Sequence, residues 1–171
     1  MARVMIGWEL GAGLGHATRL LSVARGLAAK GHRPFLVFRN LVEPWSTYRD
    51  AGYPIFQAPV WQPRAQEKNK PFHAAAISDI FATQGFTDPD DLLPMAMAWQ
   101  SLIDSIRPEL IVSDYSPTLC LAAWGVTPMV IVGDGFTTPP EDTPAFPALR
   151  PSAPITATQD SLLAVIQEVQ R

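Results

Sequence analysis

Residues 4–38 read VMIGWELGAGLGHATRLLSVARGLAAKGHRPFLVF. Val4 to Ile6 and Phe35 to Phe38 are nearly continuous apolar runs, the pattern of strands whose two faces are both covered by helices in a parallel sheet. Between them Leu20, Leu21, Val23, Ala24, Leu27 and Ala28 recur at i, i+3, i+4 and i+7, which predicts an amphipathic helix stopped by Gly31. Strand, helix and strand make a βαβ unit with a right-handed crossover.

The same signals continue outward from this unit. Leu110 to Val112 and Met129 to Val132 read as two more buried strands, and Pro54 to Gln57 as a short one. A second helix is predicted over Glu43 to Ala51, ended by Gly52, and one or two more over Ala76 to Ile106, with Asp88 as cap and Pro89 in the first turn. Residues 59–75 carry three prolines and little periodicity, so they read as a long loop. Residues 134–154 form a proline-rich connection, in which Pro139, Pro140, Pro144, Pro147, Pro151 and Pro154 exclude helix and central strand. An amphipathic helix over Asp160 to Gln170 closes the chain. The expectation is one α/β, Rossmann-like domain over residues 1–171: a parallel sheet of order 3-2-1-4-5 with helices on both faces.

Composition narrows the function. With 171 residues and 47% hydrophobic side chains the chain can bury a substantial core. A net charge of -3 and no Lys/Arg-rich run argue against nucleic acid as a partner. The apolar start is cut off by glycines and Glu9, so it is neither a signal segment nor a span, and a cytoplasmic protein is expected. The single cysteine, Cys120, excludes an internal disulfide and a multi-cysteine metal site, and it reads as buried filler.

Gly11-Ala-Gly13-Leu-Gly15-His16 lies between the first strand and the first helix, where glycines permit a tight turn and N–H groups at the helix start can face an anion. A dinucleotide fingerprint starting at Gly11 would need glycine where His16 stands, and starting at Gly13 where Thr18 stands. Arg39 and Asn40 follow the second strand in place of a ribose-binding carboxylate. A nucleotide-binding oxidoreductase domain is thus the weakest reading. The positive end of the helix macrodipole favours neutral imidazole, which suits His16 as a general base, although a helix-capping or solvated histidine fits the spacing equally. Asp114 ends the fourth strand, and in a sheet of this order the first and fourth strands flank the switch point where ligands bind. A carboxylate there would orient His16; the alternative for Asp114 is an N-cap for a helix starting near Ser116.

The glycine turn with its His16-Ala-Thr-Arg19 continuation, Arg107-Pro-Glu-Leu-Ile-Val-Ser-Asp114, Ala122-Ala-Trp-Gly-Val-Thr-Pro128 and Gly133-Asp-Gly-Phe-Thr-Thr-Pro-Pro140 together resemble the amino-terminal, acceptor-side domain of GT-B glycosyltransferases. The resemblance is to the branch holding UDP-glucuronosyl- and glucosyltransferases and bacterial macrolide and rhamnosyl transferases. It implies inverting transfer from a nucleotide sugar to an acceptor hydroxyl, with no cofactor and no obligatory metal, His16 as base and Asp114 as its supporting carboxylate. It also implies a second, donor-binding domain that these residues do not contain, so the chain alone is expected to be inactive. Either a longer protein or a donor-binding subunit on a separate chain would supply it. Part of the sheet edge or of the last helix's apolar face is then expected to lie uncovered, or to be filled by another copy.

Other residues carry weaker signals. Gly13 and Gly15 place backbone beside a ligand, and Arg19, at i+3 from His16, is positioned either to steer a phosphate or acceptor oxygen or to sit exposed on the helix. Trp61, Phe72, Phe86, Met95 and Trp99 fall where the resemblance places a pocket for lipophilic acceptors, with ordinary core packing as the alternative, and Phe136 follows the fifth strand beside the same crevice. His32 and His73 are assigned no chemistry. A non-catalytic binding module, or the partner subunit of a two-chain enzyme, is the competing reading of the whole chain.

Overall fold

The computed structural model describes residues 1–62, 74–133 and 148–171. Strands β1 (Arg3–Trp8), β2 (Arg33–Phe38), β3 (Ile55–Gln57), β4 (Leu110–Asp114) and β5 (Met129–Val132) pair in parallel in the order β3-β2-β1-β4-β5. The helices are α1 (Leu14–Ala29), α2 (Trp45–Tyr48), α3 (Ile77–Ala82), α4 (Pro89–Ile106), α5 (Pro117–Ala123) and α6 (Gln159–Val169). The architecture is α/β and Rossmann-like, with the strand order that the apolar runs predict.

Two compact units divide the chain: residues 1–60 with 96–133, and residues 61–95 with 134–171. In the first, the two-residue period of the strands sorts side chains between two cores. Val4, Ile6, Trp8, Leu36, Phe38 and Val112 pack with Ala17, Leu20, Leu21 and Ala24 of α1. Met5, Phe35, Val37 and Ile111 turn the other way, onto Trp99, Ile103 and Ile106 of α4 and Leu119 of α5. Each fully buried side chain of this size contributes roughly 1.5–3 kcal/mol. Gly7 makes the second core possible: a Cβ there would lie 2.3 Å from the Leu119 side chain.

Helix α2 is shorter than the predicted Glu43 to Ala51. Pro44 precedes it, and Asn40 Oδ1 accepts the N–H groups of Val42 and Glu43, holding those residues in a local turn instead of a helical ladder. Tyr48 is buried and its hydroxyl donates to the Leu41 carbonyl. His32 follows Gly31, which has φ +83°, and its ring accepts the N–H of Ala2.

In the second unit α3 packs against α6. Asp79, 1% exposed, joins their approaches: Oδ2 accepts the N–H groups of Ala75 and Ala76, and Oδ1 accepts those of Thr156 and Ala157 and the Thr156 hydroxyl. Burial works against the charge, but these hydrogen bonds outweigh it and hold the carboxyl well below its usual range. Asp88 Oδ1 accepts the Asp90 N–H at the start of α4, which begins on Pro89 as the sequence predicts. Pro94 inside α4 supplies no N–H to the helical ladder. Thr158 caps α6 by accepting the Ser161 N–H. No helix among the described residues is long and apolar enough to cross a membrane.

Candidate active site

Strand register builds the site. Trp8 and Asp114 are partners at the carboxyl ends of β1 and β4, and by the two-residue period Asp114 shares the face of Val112, the face covered by α1. Gly13, with φ +87°, turns the chain into α1, so His16 falls in the first turn and Arg19 one turn later on the same side. Both side chains reach the same carboxylate. His16 Nδ1 lies 3.1 Å from Asp114 Oδ2, and Arg19 Nη1 lies 3.2 Å from Oδ1 and 3.3 Å from Oδ2.

The His16–Asp114 approach is an ion-pair distance without hydrogen-bond alignment, and Nδ1 has no hydrogen-bond partner. The aligned donor is Arg19. Asp114 is 1% exposed, so its charge needs a partner, and Arg19 supplies it. Arg19 therefore lies on the carboxylate while its side chain stays exposed on the helix surface.

The imidazole is held by its faces. Its ring stacks on Trp8 at 5.2 Å between centroids and 15° between planes, and Tyr115 lies 6.4 Å away on a plane tilted by 28°. Tyr115 has φ +48°, a left-handed conformation rare for a bulky residue. Gly11 makes room for the other nitrogen: a Cβ there would stand 2.5 Å from His16 Nε2, and its φ is +84°. The Arg39 guanidinium donates to the Gly11 carbonyl at 2.8 Å and ties the turn to the end of β2.

Asp114 does not cap α5. Ser116 takes the N-cap position without a side-chain cap, its hydroxyl donating to the Asp114 carbonyl. The cap comes instead from Glu9, whose Oε2 accepts the N–H groups of Thr118 at 2.9 Å and Leu119 at 3.4 Å. Glu9 is buried, and that burial raises its carboxyl to about 7 despite the hydrogen bonds from Thr118 and Leu119 and the Arg39 charge. A backbone bond from Leu10 N–H to the Tyr115 carbonyl joins the same two loops, and the Trp8 indole N–H donates to the Leu10 carbonyl. The sequence assigns Trp8, Glu9 and Arg39 no role in the site: Glu9 reads only as the end of the apolar start, and Arg39 only as standing where a ribose-binding carboxylate would.

The remaining candidates separate. Trp99 is fully buried in the α4 core, with its ring against Gly7, and is core packing rather than pocket wall. Phe86, buried in the second unit, stacks on Phe81 at 5.3 Å, which is packing as well. Trp61, part exposed, lies over Gly85 in that unit. Gly15 has open space around its Cα. Phe72, His73 and Phe136 lie outside the described residues. Cys120 sits 3.2 Å from the Ser113 hydroxyl, and burial raises its thiol, which suits filler rather than a nucleophile. Two cavities of about 480 Å³ lie elsewhere, one at the opposite strand ends by Arg3 and Glu109 and one between Gln57 and Ser101.

No protein-family model matches the sequence, and no curated protein matches it. Solved structures do. The Streptomyces sp. SF2575 glycosyltransferase SsfS6 superposes with a TM-score of 0.53 at 18% identity, over 77% of this chain and 39% of its own. Its complex with thymidine diphosphate gives 0.52 at 20% identity. Acinetobacter baumannii MurG gives 0.53 at 18% identity, over 77% of this chain and 35% of its own. The chain thus spans under two fifths of the length of these proteins, and over that span it has a glycosyltransferase-like fold.

Proposed function

We propose that this chain is the acceptor-side half of an inverting glycosyltransferase acting in the cytoplasm, with His16 as the base. The observation that carries the reading is the meeting of His16 Nδ1 and Asp114 Oδ2 at 3.1 Å, at the carboxyl ends of β1 and β4. With Nδ1–H turned to Asp114, Nε2 is free to take the proton of an acceptor hydroxyl. The hydroxyl oxygen then forms its bond to the anomeric carbon as the bond to the nucleotide diphosphate breaks, and the diphosphate leaves with the electron pair. Asp114 orients the ring and stabilises the imidazolium as it forms. Catalytic hydrogen bonds are often misaligned without substrate and tighten in the complex, so the oblique Nδ1 geometry suits a resting site.

A donor-binding half, on the same or another polypeptide, completes the enzyme in this reading. It is supported by a span of 35–39% of the length of SsfS6 and MurG. The acceptor is a small-molecule or lipophilic hydroxyl compound, and the part-exposed ring of Tyr115 stands beside His16 where it would enter. The test is transfer from a nucleotide sugar by the chain joined to its donor-binding half. His16→Ala is expected to lower transfer by about 10²–10⁴-fold with an unchanged far-ultraviolet spectrum. Unchanged transfer would leave the chain a binding module.

A further inference from the structure

The contact that orders Asp114 is not the histidine. One nitrogen of Arg19, Nη1, donates to both carboxylate oxygens, at 3.2 and 3.3 Å, while His16 Nδ1 stands 3.1 Å from Oδ2 out of line. We infer that Arg19 is the third member of the site, a positioning residue that acts through Asp114: by holding the carboxylate it sets where the His16 Nδ1–H finds its acceptor. This rests on the reading of His16 and Asp114 as the working pair.

Three observations support it. The carboxylate is 1% exposed, so its orientation is fixed by the groups that touch it and not by water. Arg19 shares a helix face with His16, so a rigid element fixes their separation. The Arg19 side chain is 40% exposed and the carboxylate is not, so the guanidinium can yield to a ligand while Asp114 stays in place. Both oxygens are met by a single nitrogen, not by the two-nitrogen fork that distinguishes arginine from lysine, so an ammonium at this position should do the same work.

The experiment reads the ring nitrogens of His16 in the whole chain, labelled with ¹⁵N-histidine; His16→Gln identifies its signals among those of the three histidines. In Arg19→Met the carboxylate is released to the ring, and the Nδ1-bound proton is expected to move downfield. In Arg19→Lys the parent spectrum is expected to return. In the Arg19→Met, Asp114→Asn double variant the shift should vanish, because the effect travels through the carboxylate. His16 signals unmoved in folded Arg19→Met, or a shift that persists without the Asp114 charge, would overturn the inference. Should Arg19→Met not fold, the neutral Arg19→Gln is read in the same way. Transfer is not the readout: a failed coupling leaves His16 standing as the base, and an active His16→Ala enzyme leaves the coupling standing.

Discussion

Gly11 is the residue on which the imidazole depends most closely. Alanine there would hold a φ of +84° at a cost of about 1 kcal/mol, and its methyl carbon would meet His16 Nε2 at 2.5 Å. Gly11→Ala is therefore expected to lower stability by about 1–2 kcal/mol in denaturant melts and to displace the ring, so that, on the proposed function, transfer by the chain joined to a donor-binding half falls further than stability does. Full transfer in this variant would mean that the ring can yield. Glu9 makes a different prediction. Its carboxyl is raised from 4.5 to about 7 in the folded chain, so between those values the native state binds more protons than the unfolded one. Its contribution is whole below about pH 4.5, falls as pH rises, and is gone above about 7, a change on the order of 3 kcal/mol. Glu9→Gln should flatten that slope in stability measured across pH 4.5 to 7; a slope unchanged in the variant would assign it elsewhere. The sequence made His16 and Asp114 legible because each sits at the end of a predictable element. Glu9 was not legible, since a carboxylate after a strand has the same pattern whether it faces water or the start of a distant helix.

Among the elements, α3 and the approach to α6 are joined through one side chain. Removing the Asp79 carboxylate leaves five donors without their acceptor, and Asp79→Ala is expected to cost about 3–5 kcal/mol, read as early melting of the second unit in hydrogen exchange at the Thr156 and Ala157 amides. Protection equal to the parent's would contradict this. Asp79 has the opposite pH sense to Glu9: its folded value is lowered, so its stabilisation is present above the ordinary 3.8 and is lost as pH falls below it. The strands, α1, α4 and α6 were legible from periodicity because their buried faces repeat. Helix α2 was overextended because a propensity pattern does not weigh Asn40, whose side chain competes for the first N–H groups. Arg19 is legible as a neighbour of His16 on one helix face, but its contact with Asp114 is not, because helical spacing does not fix where the end of a long side chain reaches.

Across the whole molecule the sheet is covered unevenly. Strand β5 stands at the sheet edge among the described residues, and Val130 and Ile131, which point to opposite faces, are 49% and 48% exposed, with Trp124 and Val126 nearby in sequence also exposed. An edge with apolar side chains on both faces invites pairing with other chains. Val130→Lys or Ile131→Lys is expected to change stability by less than about 0.5 kcal/mol while reducing light scattering on heating; a large loss of stability would show that the edge is packed. The seat of His16 on Trp8 carries a last consequence. A protonated imidazole lying flat on an indole drains its excited state, so Trp8 should dim whenever the ring gains a proton. With the other four tryptophans replaced by phenylalanine, the chain would announce by its own fluorescence when its histidine is charged, with no substrate added.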